Sequence, residues 1–112
     1  MMRRSFRLPR GNDLSVLLRR GRRISAPLFQ IAARRNRLSH ARFALVVPRT
    51  ADKRAAVRNR LRRRAAEFIR KRPGFAASLD IAIIFKKEAV SASAAEFYDA
   101  LDKVIVKISE SW

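Results

Sequence analysis

Apolar positions along this chain recur with two alternating periods. In GNDLSVLLRRG, Leu14, Leu17 and Leu18 form one helical stripe. Asn12 or Asp13 stands where a helix is capped, and Gly21 follows its end, so a short helix is expected. RRISAPLFQIAARRN then favours strand. Pro27 removes a ladder donor, which leaves Ile24-Ser25 as a short edge piece and Leu28–Ala33 as the main strand. Positions 34–41 are polar and read as a turn. RFALVVP is a second extended run, with Phe43, Leu45 and Val47 on one face and Ala44 and Val46 on the other.

Residues 55–72, AAVRNRLRRRAAEFIRKR, return to helical spacing. At 100° per residue Val57, Leu61, Ala65 and Phe68 share a stripe, with Ile69 at its edge. Asn59, Arg63 and Arg70 fall opposite, Arg60 lies near them, and Arg58 and Arg62 sit at the flank. Pro73-Gly74 should end the helix. LDIAIIF, residues 79–85, is almost unbroken apolar sequence, the pattern of a central strand covered on both faces. The last helix carries Phe97, Leu101, Val104, Ile105, Ile108 and Trp112 at helical spacing, and Ser93 with Glu96 has the spacing of a capping box. The predicted order is α-β-β-β-α-β-α: an α+β fold, a two-layer α/β sandwich with a four-stranded sheet. Its 112 residues, 48% of them hydrophobic, fit one small domain with a modest core, residues 1–11 forming a flexible basic arm.

Charge changes this picture. The net charge is +18, and it is unevenly spread. Residues 1–72 carry 23 Lys and Arg against Asp13, Asp52 and Glu67, a net +20, whereas residues 73–112 carry 4 against 6, a net −2. A solvated helix face usually mixes signs to gain i,i+4 pairs. Here Glu67 is the only acid among residues 55–72, so a polyanion partner is the better account. Arginine outnumbers lysine, which suits bidentate phosphate contacts and stacking on bases.

Other chemistry is thinly represented. Cysteine is absent, which excludes thiolate metal sites and disulfides and points to a reducing, cytoplasmic setting. No apolar run is long enough for a transmembrane helix, and the arginine-rich start lacks the apolar stretch of a signal peptide. The only histidine, His40, lies in the polar turn and reads as a solvated loop residue. Asp99 and Asp102 share a helix face with lysines and read as solvated charge rather than a metal site. Ser91 and Ser93 read as capping residues, and no glycine-rich phosphate loop exists. A membrane-surface helix would need its apolar face free, yet that face must cover the sheet. No helix-turn-helix spacing or zinc finger points to DNA. Structured RNA is the leading polyanion, and a small structural RNA-binding protein of ribosomal type is one reading of it.

AAVRNRLRRR resembles the Arg-Asn-Arg signature of the protein component of bacterial ribonuclease P. Arg7-Leu8 before Leu14, Gly21 followed by Arg22-Arg23, and LDIAIIFKK are similar to further features of that family in the same order. The resemblance implies a left-handed β-α-β crossover containing the basic helix. It implies an endoribonuclease in which a catalytic RNA, using Mg2+, frees the 5′ end of tRNA, while the protein holds that RNA and the 5′ leader of precursor tRNA. No catalytic residue, metal or other cofactor is then expected on the protein. Carried onto this sequence, Arg54, Arg58, Asn59, Arg60, Arg62, Arg63 and Arg70 would face the catalytic RNA. The leader would meet Leu14, Leu18, Arg19, Arg22, Phe29, Arg42 and Phe43. Leu14, Leu18 and Ala32 stand where the family commonly has aromatics, so apolar contact would replace stacking. Pro48-Arg49-Thr50 replaces the usual Ser-Lys-Lys, and Ala66 replaces an arginine late in the signature.

Overall fold

The computed structural model describes residues 7–9, 11–71, 78–110 and 112. In chain order its elements are α1 (Asn12–Arg20), β1 (Arg22–Ser25), β2 (Phe29–Arg35), β3 (Arg42–Val46), α2 (Ala55–Arg70), β4 (Leu79–Phe85), α3 (Glu88–Ser91) and α4 (Ala94–Glu110). The strands form one sheet in the order β1-β2-β4-β3. β2 is antiparallel to β1 and β4, and β3 is parallel to β4. Two parallel neighbours need a long connection, and α2 is that crossover. The fold is the expected α+β arrangement. The apolar run of β4 lies between β2 and β3, as its lack of alternation predicts, with Leu79, Ile81, Ala82, Ile83 and Phe85 buried.

Alternate side chains divide between two cores. Phe29, Ile31, Ala33, Phe43, Leu79, Ile81, Ile83 and Phe85 meet Leu61, Ala65 and Ile69 of α2 and the apolar stripe of α4, Phe97 through Ile108. On the other face Ala32, Ala44 and Ala82 stand side by side across three strands. A row of methyl groups lets a helix come close, and α1 lies there with Leu17 sealed against it. Gly21 serves the same closeness. Its backbone is extended, and a Cβ there would stand 2.5 Å from the Leu17 carbonyl oxygen and 3.3 Å from the Ala33 nitrogen.

Several elements differ from the pattern. β1 begins at Arg22 rather than Ile24, and β2 runs on to Arg35, because Arg34 and Arg35 continue the ladder opposite Asp80 and Leu79. α3 is a single turn, too short to show a period. Neither Asn12 nor Asp13 caps α1 by its side chain; Gly11, at φ 111°, holds that position. The α4 capping box forms in both directions: Ser93 N–H donates to Glu96 Oε1 at 2.9 Å, and Glu96 N–H donates to Ser93 Oγ at 3.1 Å. These bonds hold the Glu96 carboxyl below its ordinary range. The expected loose arm over 1–11 is pinned where it is described. Arg7 bridges to Phe43, Leu8 N–H donates to the Phe43 carbonyl at 2.8 Å, and Leu8 is only 4% exposed. Residues 1–6 and 10, and the Pro73-Gly74 stop, lie outside the described residues.

Candidate nucleic-acid interface

α2 buries Leu61, Ala65 and Ile69, while Val57 and Phe68 are half-buried. The packed stripe is thus rotated toward Ile69 from where periodicity centres it. The rotation leaves two polar flanks. By helical spacing Asn59, Arg62, Arg63 and Ala66 lie on one, and Arg60, Arg64, Phe68 and Lys71 on the other.

The first flank walls a cleft of about 350 Å³ at the β3 edge of the sheet. Arg7 and Leu8 of the pinned segment, Leu14 of α1 and Phe43–Val46 of β3 form the rest of it, and Asn59, Arg62, Arg63, Ala66 and Glu67 come from α2. Its floor is aliphatic and its rim is cationic. Arg62 donates to the Asn59 side-chain oxygen, which orients both groups beside the opening. Arg63 is exposed there, and Arg60 is exposed on the far side of the helix. Neither makes an ion pair with a described carboxylate.

Other arginines are committed to the fold. Arg54 pairs with Asp52 at 2.8 Å, and Arg58 donates to the carbonyls of Asp52 and Lys53 at 3.0 and 2.7 Å. Together they lock the turn entering α2. The Arg54 guanidinium and backbone N–H hold the Asp52 carboxyl down at about 2. Arg70 pairs with Glu67 at 2.9 Å, and that hydrogen bond is the largest cause holding the Glu67 carboxyl below its ordinary range. Both anions therefore persist through any physiological pH.

Arg42 forms a bidentate pair with Asp80, at 2.9 and 2.8 Å, and stands 3.8 Å from Asp13. Asn36 also donates to Asp80, at 2.9 Å, and to the His40 carbonyl, so one carboxylate organises the 36–40 turn and ties it to the sheet. Burial pushes the Asp80 carboxyl up, but hydrogen bonds from Arg42 and Asn36 and the Arg42 charge outweigh it, and the net shift is downward. A lowered folded value means that Asp80 stabilises the fold above the unfolded carboxylate value near about 4, and that this is lost as pH falls through the folded value. Asp80→Asn is expected to cost about 1–2 kcal/mol at pH 7. Urea melts of both proteins between pH 7 and 2 check this: the gap should close at the acid end, and a gap independent of pH would refute the assignment.

The structure brings only part of the expected site together. Leu14 lines the cleft, and Phe43 borders it although it is 5% exposed. Leu18 packs half-buried on the alanine row, and Ala32 is enclosed beneath α1. Phe29 must be corrected: it is 0% exposed, with its ring against Phe85 and Phe97 at 5.1 and 5.6 Å, and has no face for a ligand. Arg42 is held by Asp80, with its side chain 20% exposed. Arg22 sits in β1, at the opposite edge of the sheet from β3, with its guanidinium carbon 5.8 Å from the Trp112 ring centroid. Arg19 is exposed on α1, where its Nε donates to the Ser15 carbonyl at 3.3 Å. Arg54, Arg58 and Arg70 are partnered as described. Arg7 and Arg64 went unassigned in the sequence; Arg7 reaches the cleft through strand pairing, which no periodicity announces.

Among the described residues no three His, Asp or Glu side chains converge as a metal site, and no helix is long and apolar enough to cross a membrane. Residues 2–109 match the family described as Ribonuclease P. A ribonuclease P protein component from Aliivibrio fischeri is 34% identical over 106 residues, covering 95% of this chain and 91% of the relative. One from Histophilus somni is 34% identical over 101 residues, covering 90% and 85%. Among solved structures, the RNase P protein from Staphylococcus aureus superposes with a TM-score of 0.83 at 19% identity, over 93% of this chain and 94% of that one. The RNase P protein from Thermotoga maritima gives 0.81 at 23% identity, over 90% and 96%. Superpositions this close carry the β3–α2–β4 crossover in the same hand as in those proteins. Sequence and fold agree that the chain belongs to the family of ribonuclease P protein components.

Proposed function

We propose that this chain binds the catalytic RNA of ribonuclease P through α2 and receives the 5′ leader of precursor tRNA in the cleft beside β3. The observation that carries the reading is the exposed guanidinium array of α2 standing against an aliphatic cleft. Arg62 and Arg63 at the rim neutralise phosphates, and each phosphate neutralised releases condensed counterions. Leu14, Leu45 and Val46 offer apolar contact to bases without a π-face, so the leader is held more by its backbone than by its sequence. The protein positions and screens charge, and the catalytic RNA with its Mg2+ cleaves the phosphodiester. The setting is the cytoplasm, where precursor tRNA is made.

The test is cleavage of a precursor tRNA by a bacterial ribonuclease P RNA at low magnesium, with and without the purified chain. The chain should accelerate cleavage and tighten binding of precursor over mature tRNA. RNA binding with no acceleration would mark a structural RNA-binding protein instead and overturn the reading.

A further inference from the structure

The flank of α2 away from the cleft carries a second array. At 100° per residue Arg60, Arg64 and Lys71 fall within about 40° of one another, and Phe68 follows about 40° further on. The Arg64 guanidinium carbon stands 5.6 Å from the Phe97 ring centroid, which seats this flank against α4. There Phe68 and Tyr98 stack, with centroids 5.6 Å apart and planes 18° from parallel. Phe97 braces Tyr98 from the side, at 5.8 Å and 86°. Despite these two neighbours Tyr98 is 39% exposed. A seam between helices needs only aliphatic cover. A braced, solvent-open tyrosine at a seam where Arg64 reaches over from α2, with Arg60 and Lys71 further along the same helix flank, is a platform of the kind that single-stranded RNA uses, with phosphates on the cations and a base on the ring. One helical turn, about 5.4 Å, separates Arg64 from Phe68, a span that one nucleotide bridges from phosphate to base. Two carboxylates border this flank: Asp102, one turn along α4 from Tyr98, and Glu67, one turn before Lys71, which is paired with Arg70.

We propose that the Phe68–Tyr98 stack with Arg60, Arg64 and Lys71 is a second RNA contact, at which Tyr98 stacks on an unpaired base of ribonuclease P RNA. It rests on the reading that the chain binds that RNA, and it is separate from the leader cleft. Phosphate contacts on α2 alone would tether the RNA along one line; a base contact at the α2–α4 seam fixes its rotation about the helix.

Tyr98 is the only tyrosine in the chain, so 3-fluorotyrosine labels this position alone. Titrating the labelled full chain with ribonuclease P RNA should move the single fluorine resonance. Tyr98→Leu should weaken binding of that RNA by at least about fivefold, and Tyr98→Phe by less than about twofold, since stacking needs only the ring. The salt dependence should be unchanged in both, because no phosphate contact is lost. An unmoved resonance in RNA-bound protein, or wild-type affinity in Tyr98→Leu, overturns the contact. If Arg63→Ala weakens binding while Tyr98→Leu does not, the seam contact fails and the RNA-binding reading stands. If the unmodified chain does not bind the RNA, both fail.

Discussion

Replacing Arg60 and Arg63 together by alanine is expected to lower affinity for ribonuclease P RNA on the order of a hundredfold and to leave the fold intact. Both side chains are exposed, and neither makes an ion pair with a described carboxylate. Both project away from the packed line of Leu61, Ala65 and Ile69, so removing them opens no cavity. Each is worth about 1.5 kcal/mol or more as a charge-assisted contact, and a loss of about 3 kcal/mol is roughly a hundredfold. The slope of log affinity against log salt should also become shallower by about 1.4–1.8, for two phosphates released. Arg58→Ala is the control for geometry. It removes the donor to the Asp52 and Lys53 carbonyls, so it should lower the melting temperature, which the double mutant should not. Filter binding over a salt series and a thermal melt separate these outcomes. Normal affinity in the double mutant would remove α2 from the RNA interface.

Phe97→Ala is expected to cost about 3–5 kcal/mol, a large part of the roughly 5–15 kcal/mol that holds a domain of this kind together. Phe97 is 0% exposed and sits where α4, α2, β2 and β4 meet. Its ring lies 5.6 Å from Phe29, 6.0 Å from Phe85 and 5.8 Å from Tyr98, and the Arg64 guanidinium covers it. Collapse into the vacated space is hard because three of those neighbours are themselves rings. Chemical denaturation of mutant and wild type measures the loss directly. A cost under about 1.5 kcal/mol would mean that this aromatic cluster is not the centre of the core. The mutation should also free Tyr98, linking stability to the seam between α2 and α4.

Much of the fold is legible in the chain because its periods are strong. The apolar run of 79–85, short and rich in β-branched residues, reads as a central strand covered on both faces. The stripe of α4 and its Ser93–Glu96 box mark a helix and its start. The basic helix is visible both as an amphipathic segment and as a charge imbalance, and its Arg-Asn-Arg stretch carried the family resemblance. Single-turn α3 is not visible, since four residues cannot show a period, and the last two residues of β2, both exposed arginines, look like loop until β4 stands opposite them.

The candidate site was legible only in part. Composition and helical spacing determined that α2 is cationic and must pack on one side, because those properties belong to the segment itself. Which arginines remain open to a partner was decided by tertiary structure: Arg42 is claimed by Asp80 on β4, and Arg58 by the turn before α2. Phe29 reads as easily for a binding face as for a core, and only the placement of α4 over β2 enclosed it. The cleft itself joins residues 7–8, 14, 43–46 and 59–67, and the Phe68–Tyr98 stack joins α2 to α4. Periodicity states which residues share a face of one element. It cannot state which face meets which, because that depends on strand order and on the rotation at which each helix finds its closest packing.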